Sequence, residues 1–393
     1  MRTILYGSPF NHSVSGADES LLTLLKFLSK EHWRPVVVTP WRSAYAEKYR
    51  ALGAQVIRFP MLRIIRTFNP LYWILFLVWF PIEVGLFVFS ILRVHADIVH
   101  SNMDSLISPL VAARIIGVPA VLHYRAKTVD EPKWFFDRFL PLLVALSHRI
   151  VAISRATARP FFKRDLGAKV QVCYNGLDLG RFRNVSNTRL IELFPELSKR
   201  RIVLFVGRLD PQKRLEDLIQ AAHEIVSVRK DITFVIAGGD PNVSLETDHK
   251  LHLEQEIARL GLGAHFLFLG RRSDVPDLLA SSHCFVFPAE NEGFGRAVIE
   301  AMASGIPVIA ANSGGPPELL EDGKLGFLVP PRDPAALASG ILRALESKEA
   351  RKVALAAKES AFKKFSAEQH ANQITAVYQD MLGAGHPLHE KVT

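Results

Sequence analysis

Short apolar runs alternate along the whole chain with longer segments of helical period. In the first half, Thr3–Tyr6, Val36–Thr39, Val56–Phe59, Asp97–His100, Ala120–His123, Ile150–Ile153 and Val170–Tyr174 are rich in Val and Ile, largely apolar on both faces, and followed by turn or cap residues. Such runs predict strands covered on both sides, hence a parallel sheet between helical layers. Segments such as Ser20–Lys30 and Leu106–Ile116 have the length and period of crossover helices. The second half repeats the pattern, with strands predicted at Ile202–Val206, Ile232–Ala237, His265–Leu269, Cys284–Phe287 and Pro307–Ala311. Helices are predicted between them near Leu215–Arg229, Glu246–Leu260, Val275–Ser281 and Arg296–Ser304. Strand–helix alternation implies βαβ units. The expectation is an α/β chain of two tandem Rossmann-like doubly wound domains, residues 1–180 and 181–366, connected through Arg181–Lys199. A final segment, 367–393, carries a helix near Ala367–Leu382 that crosses back to the first domain. Ligands in such sheets sit at the carboxyl ends of the strands, and two facing domains offer a cleft.

One segment departs from this rhythm. From Asn69 to Arg93 the only charge inside is Glu83. The run is long enough to cross a bilayer, which takes about 20 apolar residues. The predicted strands on either side belong to one sheet and so to one side of a membrane, which argues against a span. Pro81 is expected to split the run into two shorter pieces. Two readings remain open: a buried crossover helix, or a surface helix dipping into one leaflet. Tyr72, Trp73 and Trp79, flanked by Arg63, Arg66 and Arg93, suit an interface.

Charge sharpens this picture. The net charge is +9, but residues 1–180 hold 22 Lys and Arg against 12 Asp and Glu, while residues 181–393 hold 26 against 27. The excess lies wholly in the first half, which favours an anionic membrane or an acidic substrate as partner. Nucleic acid is disfavoured, because there is no long Lys/Arg run, zinc spacing or aromatic–basic RNA motif. Two cysteines, Cys173 and Cys284, cannot build a disulfide framework and read as buried thiols of a reducing, cytoplasmic compartment. The apolar stretch after Met1 is too short for a signal peptide. Asn11, Asn184 and Asn242 begin chance Asn-x-Ser matches, and His95, His100, His148 and His283 follow no ligand spacing.

Two segments carry chemistry. Gly207-Arg-Leu-Asp-Pro-Gln-Lys213 follows a predicted strand, and its glycine and two cations at a helix start make an anion site. In Glu290-Asn-Glu-Gly-Phe-Gly-Arg-Ala-Val-Ile-Glu300, Gly293 and Gly295 let backbone amides approach a ligand at a helix N-terminus, a setting for a diphosphate. A carboxylate such as Glu300 suits the paired hydroxyls of a ribose.

At these residues the chain resembles the retaining GT-B glycosyltransferases, family 4 type, group 1. Glu292 through Glu300 matches their Glu-x7-Glu signature, and Phe205–Lys213 resembles their diphosphate-binding Gly-Arg-Leu…Lys. Tyr174-Asn-Gly-Leu-Asp178, Ser313-Gly-Gly-Pro-Pro-Glu318, Gly326-Phe-Leu-Val329 and Asp97-Ile-Val-His-Ser101 are similar to further family segments. Ser15-Gly16 resembles the glycine-rich acceptor loop, with serine in place of one glycine.

The resemblance implies a hexosyltransferase that moves a sugar from a UDP- or GDP-linked donor with retention of anomeric configuration. Arg208 and Lys213 would neutralise the leaving diphosphate, Glu292 would bind the donor sugar and Glu300 the ribose. The backbone of Gly207, Gly293, Phe294 and Gly295 would line the donor, with Arg296 and Ala297 at the phosphates and Arg271 framing the base. His123 would contact the donor sugar. No Asp-x-Asp is present, so no metal and no cofactor is expected beyond the nucleotide-sugar co-substrate. The acceptor would be lipid-linked or belong to polysaccharide or glycolipid synthesis, with the protein peripheral on the cytoplasmic face of a membrane. A sugar-nucleotide epimerase or hydrolase would need an acid–base pair that the sequence does not single out. A non-catalytic sensor would have lost cleft residues that are present here.

Overall fold

The computed structural model describes residues 1–9, 16–65, 67–125 and 135–383, without the side chains of 135 and 136. The chain forms two compact units, Met1–Gly176 with Ala367–Thr393, and Leu177–Ser366. The segment 181–199, expected to connect the domains, belongs to the second unit. It folds into short helices at Leu179–Phe182, Arg189–Leu193 and Pro195–Lys199 and buries Phe182, Leu190 and Leu197, so it packs where its polar composition suggested a linker.

In the first unit seven strands, β1 (Arg2–Gly7), β2 (Trp33–Thr39), β3 (Gln55–Arg58), β4 (Ile98–Ser101), β5 (Ala120–Tyr124), β6 (Arg149–Ala152) and β7 (Val170–Val172), form a sheet in the order 3-2-1-4-5-6-7. Every pairing is parallel. Successive residues on a strand face opposite sides. Leu5, Val36, Val99 and Leu122 pack under helices Pro70–Val94, Ser108–Ile116, Leu140–Leu146 and Arg155–Phe162. Ile4, Tyr6, Val37 and Val121 pack under helices Gly16–Phe27 and Ala367–Gly383. The last helix thus completes one face of this sheet through Ile374, Val377 and Tyr378.

The second unit has six parallel strands, β8 (Arg201–Val206), β9 (Ile232–Ala237), β10 (Phe266–Gly270), β11 (Cys284–Phe287), β12 (Val308–Ala311) and β13 (Phe327–Val329). Their order is 10-9-8-11-12-13. Both sheets reverse direction beside their first strand, the point at which doubly wound sheets bind ligands. Strand β13 lay outside the sequence prediction, although Gly326-Phe-Leu-Val329 was read as a family-like segment. The duplication extends to two histidines: His148 Nδ1 accepts from Ala120 N and His283 Nδ1 accepts from Ile202 N, each at 3.1 Å, so both pin the start of a strand.

Pro70–Val94 is one continuous helix rather than two pieces. Pro81 removes one backbone donor, but it stands on the exposed side, and the turns around it remain paired. Nor is the helix fully buried. Glu83 faces inward and accepts from Leu62 N at 2.9 Å and from Ser108 Oγ at 2.6 Å, and burial raises its carboxyl above the usual range. The outer side carries Leu71, Ile74, Leu75, Leu77, Val78, Ile82, Phe89 and Leu92, all exposed. Among the described residues this is the one helix long and apolar enough to cross a membrane by length and composition.

Candidate active site

In the second unit the site is built first from backbone. Loops that leave the carboxyl ends of β8, β9, β11 and β12 lie so close that side chains are excluded between them. A Cβ at Gly238 would sit 1.7 Å from the Gly207 carbonyl oxygen, one at Gly314 2.1 Å from that of Glu292, and one at Gly315 2.5 Å from that of Phe294. Gly314 and Gly295 also have φ of +70° and +98°, where a side chain would be strained. Hydrogen bonds fasten the same loops: Gly315 N to Glu292 O at 2.7 Å, Glu290 N to Gln212 O at 3.0 Å, and Asn291 N to Ser313 Oγ at 2.9 Å. Buried Glu246 ties the first two loops by accepting from Leu209 N and Asp240 N at 3.3 and 3.1 Å.

Into this frame project two opposite charges. Asp210 accepts from Gln212 N at 3.0 Å and starts the turn Pro211–Lys213, which turns the Lys213 side chain inward. Lys213 Nζ lies 2.5 Å from Glu292 Oε2, with the two side chains 9% and 16% exposed, and 5.2 Å from the centre of the Phe287 ring. Neither charge would be stable there alone; each compensates the other's desolvation. Immediately after them, helix Arg296–Ser304 begins at Gly295. Its first backbone bond is donated by Val298 N to Gly295 O, so the amides of Arg296 and Ala297 precede the intrahelical ladder and add a positive helix end. Phe294 is buried and meets Phe365 edge-on at 6.2 Å. Half-buried Glu300 has its carboxyl raised by burial, opposed by the charges of Arg296 and Arg181. Arg208 is different: its side chain is 60% exposed, 3.0 Å from Asp210. Arg271 is also exposed, 3.7 Å from Asp240.

In the first unit the corresponding edge is made of side chains. Arg125 donates to Asn102 O at 3.1 Å, to Asn102 Oδ1 at 3.0 Å and to Asn175 Oδ1 at 2.8 Å. Asn175 also accepts from Ser20 at 2.8 Å, and buried Asp18 accepts from Ser8 and Tyr49 at 2.5 and 2.6 Å. Beneath this net the rings of His100 and His123 stack with centroids 5.4 Å apart, and His370 lies 6.2 Å from His123. His100 Nδ1 meets the Tyr378 hydroxyl at 2.6 Å. His123 is buried, and neither of its ring nitrogens has a partner among the described residues. Burial first, then the Arg125 charge, pushes His123 well below the ordinary histidine range and His100 down to about 3, so both rings are neutral.

Comparison with known proteins decides what this arrangement belongs to. Residues 189–360 match the family described as Glycosyl transferases group 1, and residues 14–181 match Glycosyltransferase Family 4. The chain is 32% identical over 309 residues to the phosphatidyl-myo-inositol mannosyltransferase of Mycobacterium tuberculosis, which covers 76% of this chain and 75% of that one. It is 27% identical over 303 residues to the N-acetyl-alpha-D-glucosaminyl L-malate synthase of Bacillus anthracis, 75% of each. Among solved structures, Anabaena HepE in complex with UDP and glucose is 25% identical, with a TM-score of 0.79 over 96% of this chain and 100% of that one. The chain belongs to the family 4, group 1 glycosyltransferases. It has the GT-B fold, and it is an enzyme of glycosyl transfer.

Within this glycosyltransferase, the second unit brings together Gly207, Lys213, Glu292, Gly293, Phe294 and Gly295, with Arg296, Ala297 and Glu300 on the helix that follows. Arg208 and Arg271 stand at its exposed rim. His123 lies in the first unit. Gly16 opens the helix Gly16–Phe27, and Ser15 and Arg66 lie outside the described residues. Sequence reasoning passed over Gly238, Glu246 and Arg125, and gave Asp210 and Asn175 no role of their own within the segments Gly207–Lys213 and Tyr174–Asp178. The Gly238–Gly239 pair directly after a predicted strand was the one readable signal among them. Among the described residues no group of three or more His, Cys, Asp or Glu could hold a metal ion.

Proposed function

We propose that this enzyme transfers a hexose from a UDP- or GDP-linked donor, with retention of configuration, to a lipid-linked or glycolipid-type acceptor at the cytoplasmic face of a membrane. The observation that carries the donor half of this reading is the Lys213–Glu292 pair at the glycine-lined start of helix Arg296–Ser304. A diphosphate entering there attracts Lys213 and the helix amides, and Glu292, relieved of its partner, accepts the hydroxyls of the sugar. As the bond to the anomeric carbon breaks, negative charge grows on the departing phosphate, where fixed cations stabilise it most. Lys213 acts from within, and Arg208 closes onto the phosphate from the rim. Two cations and a helix end do the work that a divalent ion does in other transferases, so the reaction proceeds without metal. Glu300 takes the ribose hydroxyls.

The mannosyltransferase and HepE relatives support a nucleotide-sugar donor, since the solved HepE complex contains UDP and glucose. The basic first half of the chain and the exposed apolar helix support an anionic membrane surface as partner. The test is incubation with a panel of UDP- and GDP-sugars, with and without lipid extract, following release of nucleoside diphosphate. The expected outcome is release from one donor, stimulated by the extract. No release from any donor under either condition would refute the reading.

A further inference from the structure

In the second unit, the segment from Leu179 to Leu193 closes over the end of strand β10. The Arg181 guanidinium donates to Ser273 O at 3.0 Å, Ser186 N donates to Asp277 Oδ1 at 2.8 Å, and Arg189 Nε donates to Asp274 Oδ2 at 2.9 Å. These contacts start from separate places along the segment and all fall within residues 273–277, the loop and helix start that follow β10. The segment has its own anchorage. Phe182 and Leu190 are buried, and the turns Leu179–Phe182 and Arg189–Leu193 both pack on helix Val275–Ala280. The loop is held at its near end too. The register of β10 on β9 shifts between Phe268 and Gly270, Gly270 has a φ of +62°, and Gly238 N donates to Gly270 O at 2.8 Å. Gly238 in turn lies against the Gly207 carbonyl. Residues 270–274 therefore form a ledge, fixed at one end to the loop that carries Arg208 and Lys213 and clasped at the other by the 179–193 segment.

The charges of the clasp are interlocked. Arg272 Nε and its terminal nitrogen donate to Asp274 at 2.9 and 2.6 Å, so Asp274 takes two guanidinium groups, that of its neighbour and that of Arg189. Its carboxyl is held down to about 2, by Arg272 first and with help from Arg189, and it stays ionised through the neutral range. Arg181 has a second neighbour besides Ser273. Burial raises the Glu300 carboxyl, and the charges of Arg296 and Arg181 oppose that rise. Arg296 stands on the helix of Glu300 itself, whereas Arg181 comes from the clasp, whose first turn packs on that helix. One arginine thus touches the ledge through a hydrogen bond and Glu300 through its field.

We propose that Arg181 and Arg189 are positioning residues for the nucleoside half of the donor: they fix the 270–274 ledge where its main chain meets the base, and Arg181 links that ledge to Glu300 at the ribose. This rests on the donor reading above and adds the residues that set discrimination between bases. A base read by main-chain groups is read only as sharply as the loop is placed, because hydrogen bonds hold over a narrow range of about 2.7–3.2 Å. A ledge tied at both ends is ordered before the nucleotide arrives, so binding does not have to order it. A Cβ at Gly270 would meet nothing within 4 Å, so the ledge faces open space there and is not packed by its own unit. Arg181 is exposed and Arg189 partly so, and ion pairs of that kind add little to global stability. Their removal therefore loosens the ledge and leaves the unit folded. The diphosphate end, at Lys213 and the start of helix Arg296–Ser304, does not depend on them.

The test titrates the full chain with UDP and GDP, and with inorganic pyrophosphate read by competition. The proteins are wild type, Arg181→Ala with Arg189→Ala, Arg181→Lys, and Glu300→Ala. The double variant is expected to bind the preferred nucleotide at least tenfold more weakly and to narrow the ratio between UDP and GDP at least threefold, while pyrophosphate stays within twofold of wild type. Arg181→Lys keeps the charge and a donor and should lose less than threefold. Equal weakening of nucleotide and pyrophosphate in the double variant would give the two arginines a purely structural role. Nucleotide binding within twofold of wild type would show that the ledge needs no clasp. Either result overturns the inference. Glu300→Ala separates that failure from failure of the donor reading: weakened nucleotide binding there, with none in the double variant, overturns the clasp alone, whereas wild type that binds neither nucleotide overturns both.

Discussion

The carboxyl edges of the two sheets solve one problem with different materials. Both sheets share strand order and direction, and both must present polar groups at the switch point. The second unit does it with backbone, drawing loops together until only glycine fits at 238, 314 and 315, and then placing one ion pair in the gap. The first unit does it with side chains, a net of Arg125, Asn102, Asn175, Ser20 and Asp18 over stacked neutral histidines. Backbone amides suit the fixed shape of a diphosphate. Side chains suit a partner of more varied shape.

The sharpest way to break the comparison is to put a methyl group where only glycine fits. Gly314→Ala brings a Cβ to 2.1 Å from backbone at a φ of +70° and should cost about 2–4 kcal/mol of second-unit stability, together with most of the activity. Gly263→Ala, with nothing within 4 Å, is the control and should change stability by about 0.5 kcal/mol or less. Denaturant unfolding of both variants checks this, and equal midpoints would show that the loops tolerate separation.

Next in size is the ion pair. Lys213→Ala should lower turnover by about 2–4 kcal/mol in the barrier, a factor of roughly 30 to 1000. Arg208→Ala should also lower turnover strongly, but less, because its guanidinium starts from solvent. Steady-state kinetics with the preferred donor rank the two, and near-wild-type rates in both would remove the diphosphate role from this loop.

The first unit answers to pH. His100 falls to about 3 from an ordinary 6.5, and His123 shifts in the same direction. Below pH 6.5 the unfolded chain binds protons that these folded rings refuse, so their contribution to stability is complete above 6.5 and is lost as pH falls toward 3. At pH 5 the loss for His100 is about 2 kcal/mol, and His123 adds to it in the same direction. Unfolding at pH 7 and pH 5 should show it, with a smaller difference in His123→Phe. The smallest effect concerns metal: turnover should persist in EDTA, and complete loss restored by Mg²⁺ or Mn²⁺ would contradict the cationic account.

This contrast also explains what the sequence disclosed. Backbone proximity has few solutions, so Gly293, Gly295, Gly314 and Gly315 stand as a compact signature within a short stretch, and the glycine-lined side of the second unit was legible. A side-chain net draws residues from positions 8 to 175; Arg125 is unremarkable in its local setting and was passed over, and Asn175 stood only as part of the segment Tyr174–Asp178. His100 reads as ordinary in the sequence and stacks on His123 only because β4 and β5 are neighbours. The apolar run from Asn69 to Arg93 was visible, but hydropathy does not distinguish the side that packs from the side that stays exposed.

The central claim is that the second unit holds the donor through the Lys213–Glu292 gap. Equilibrium titration of the full chain with UDP and with GDP tests it most directly, in wild type, Lys213→Ala and Arg125→Gln. The account predicts that one of the two nucleotides binds wild type, that Lys213→Ala weakens it at least tenfold, and that Arg125→Gln leaves it within about twofold. Undiminished nucleotide binding by Lys213→Ala would contradict the account.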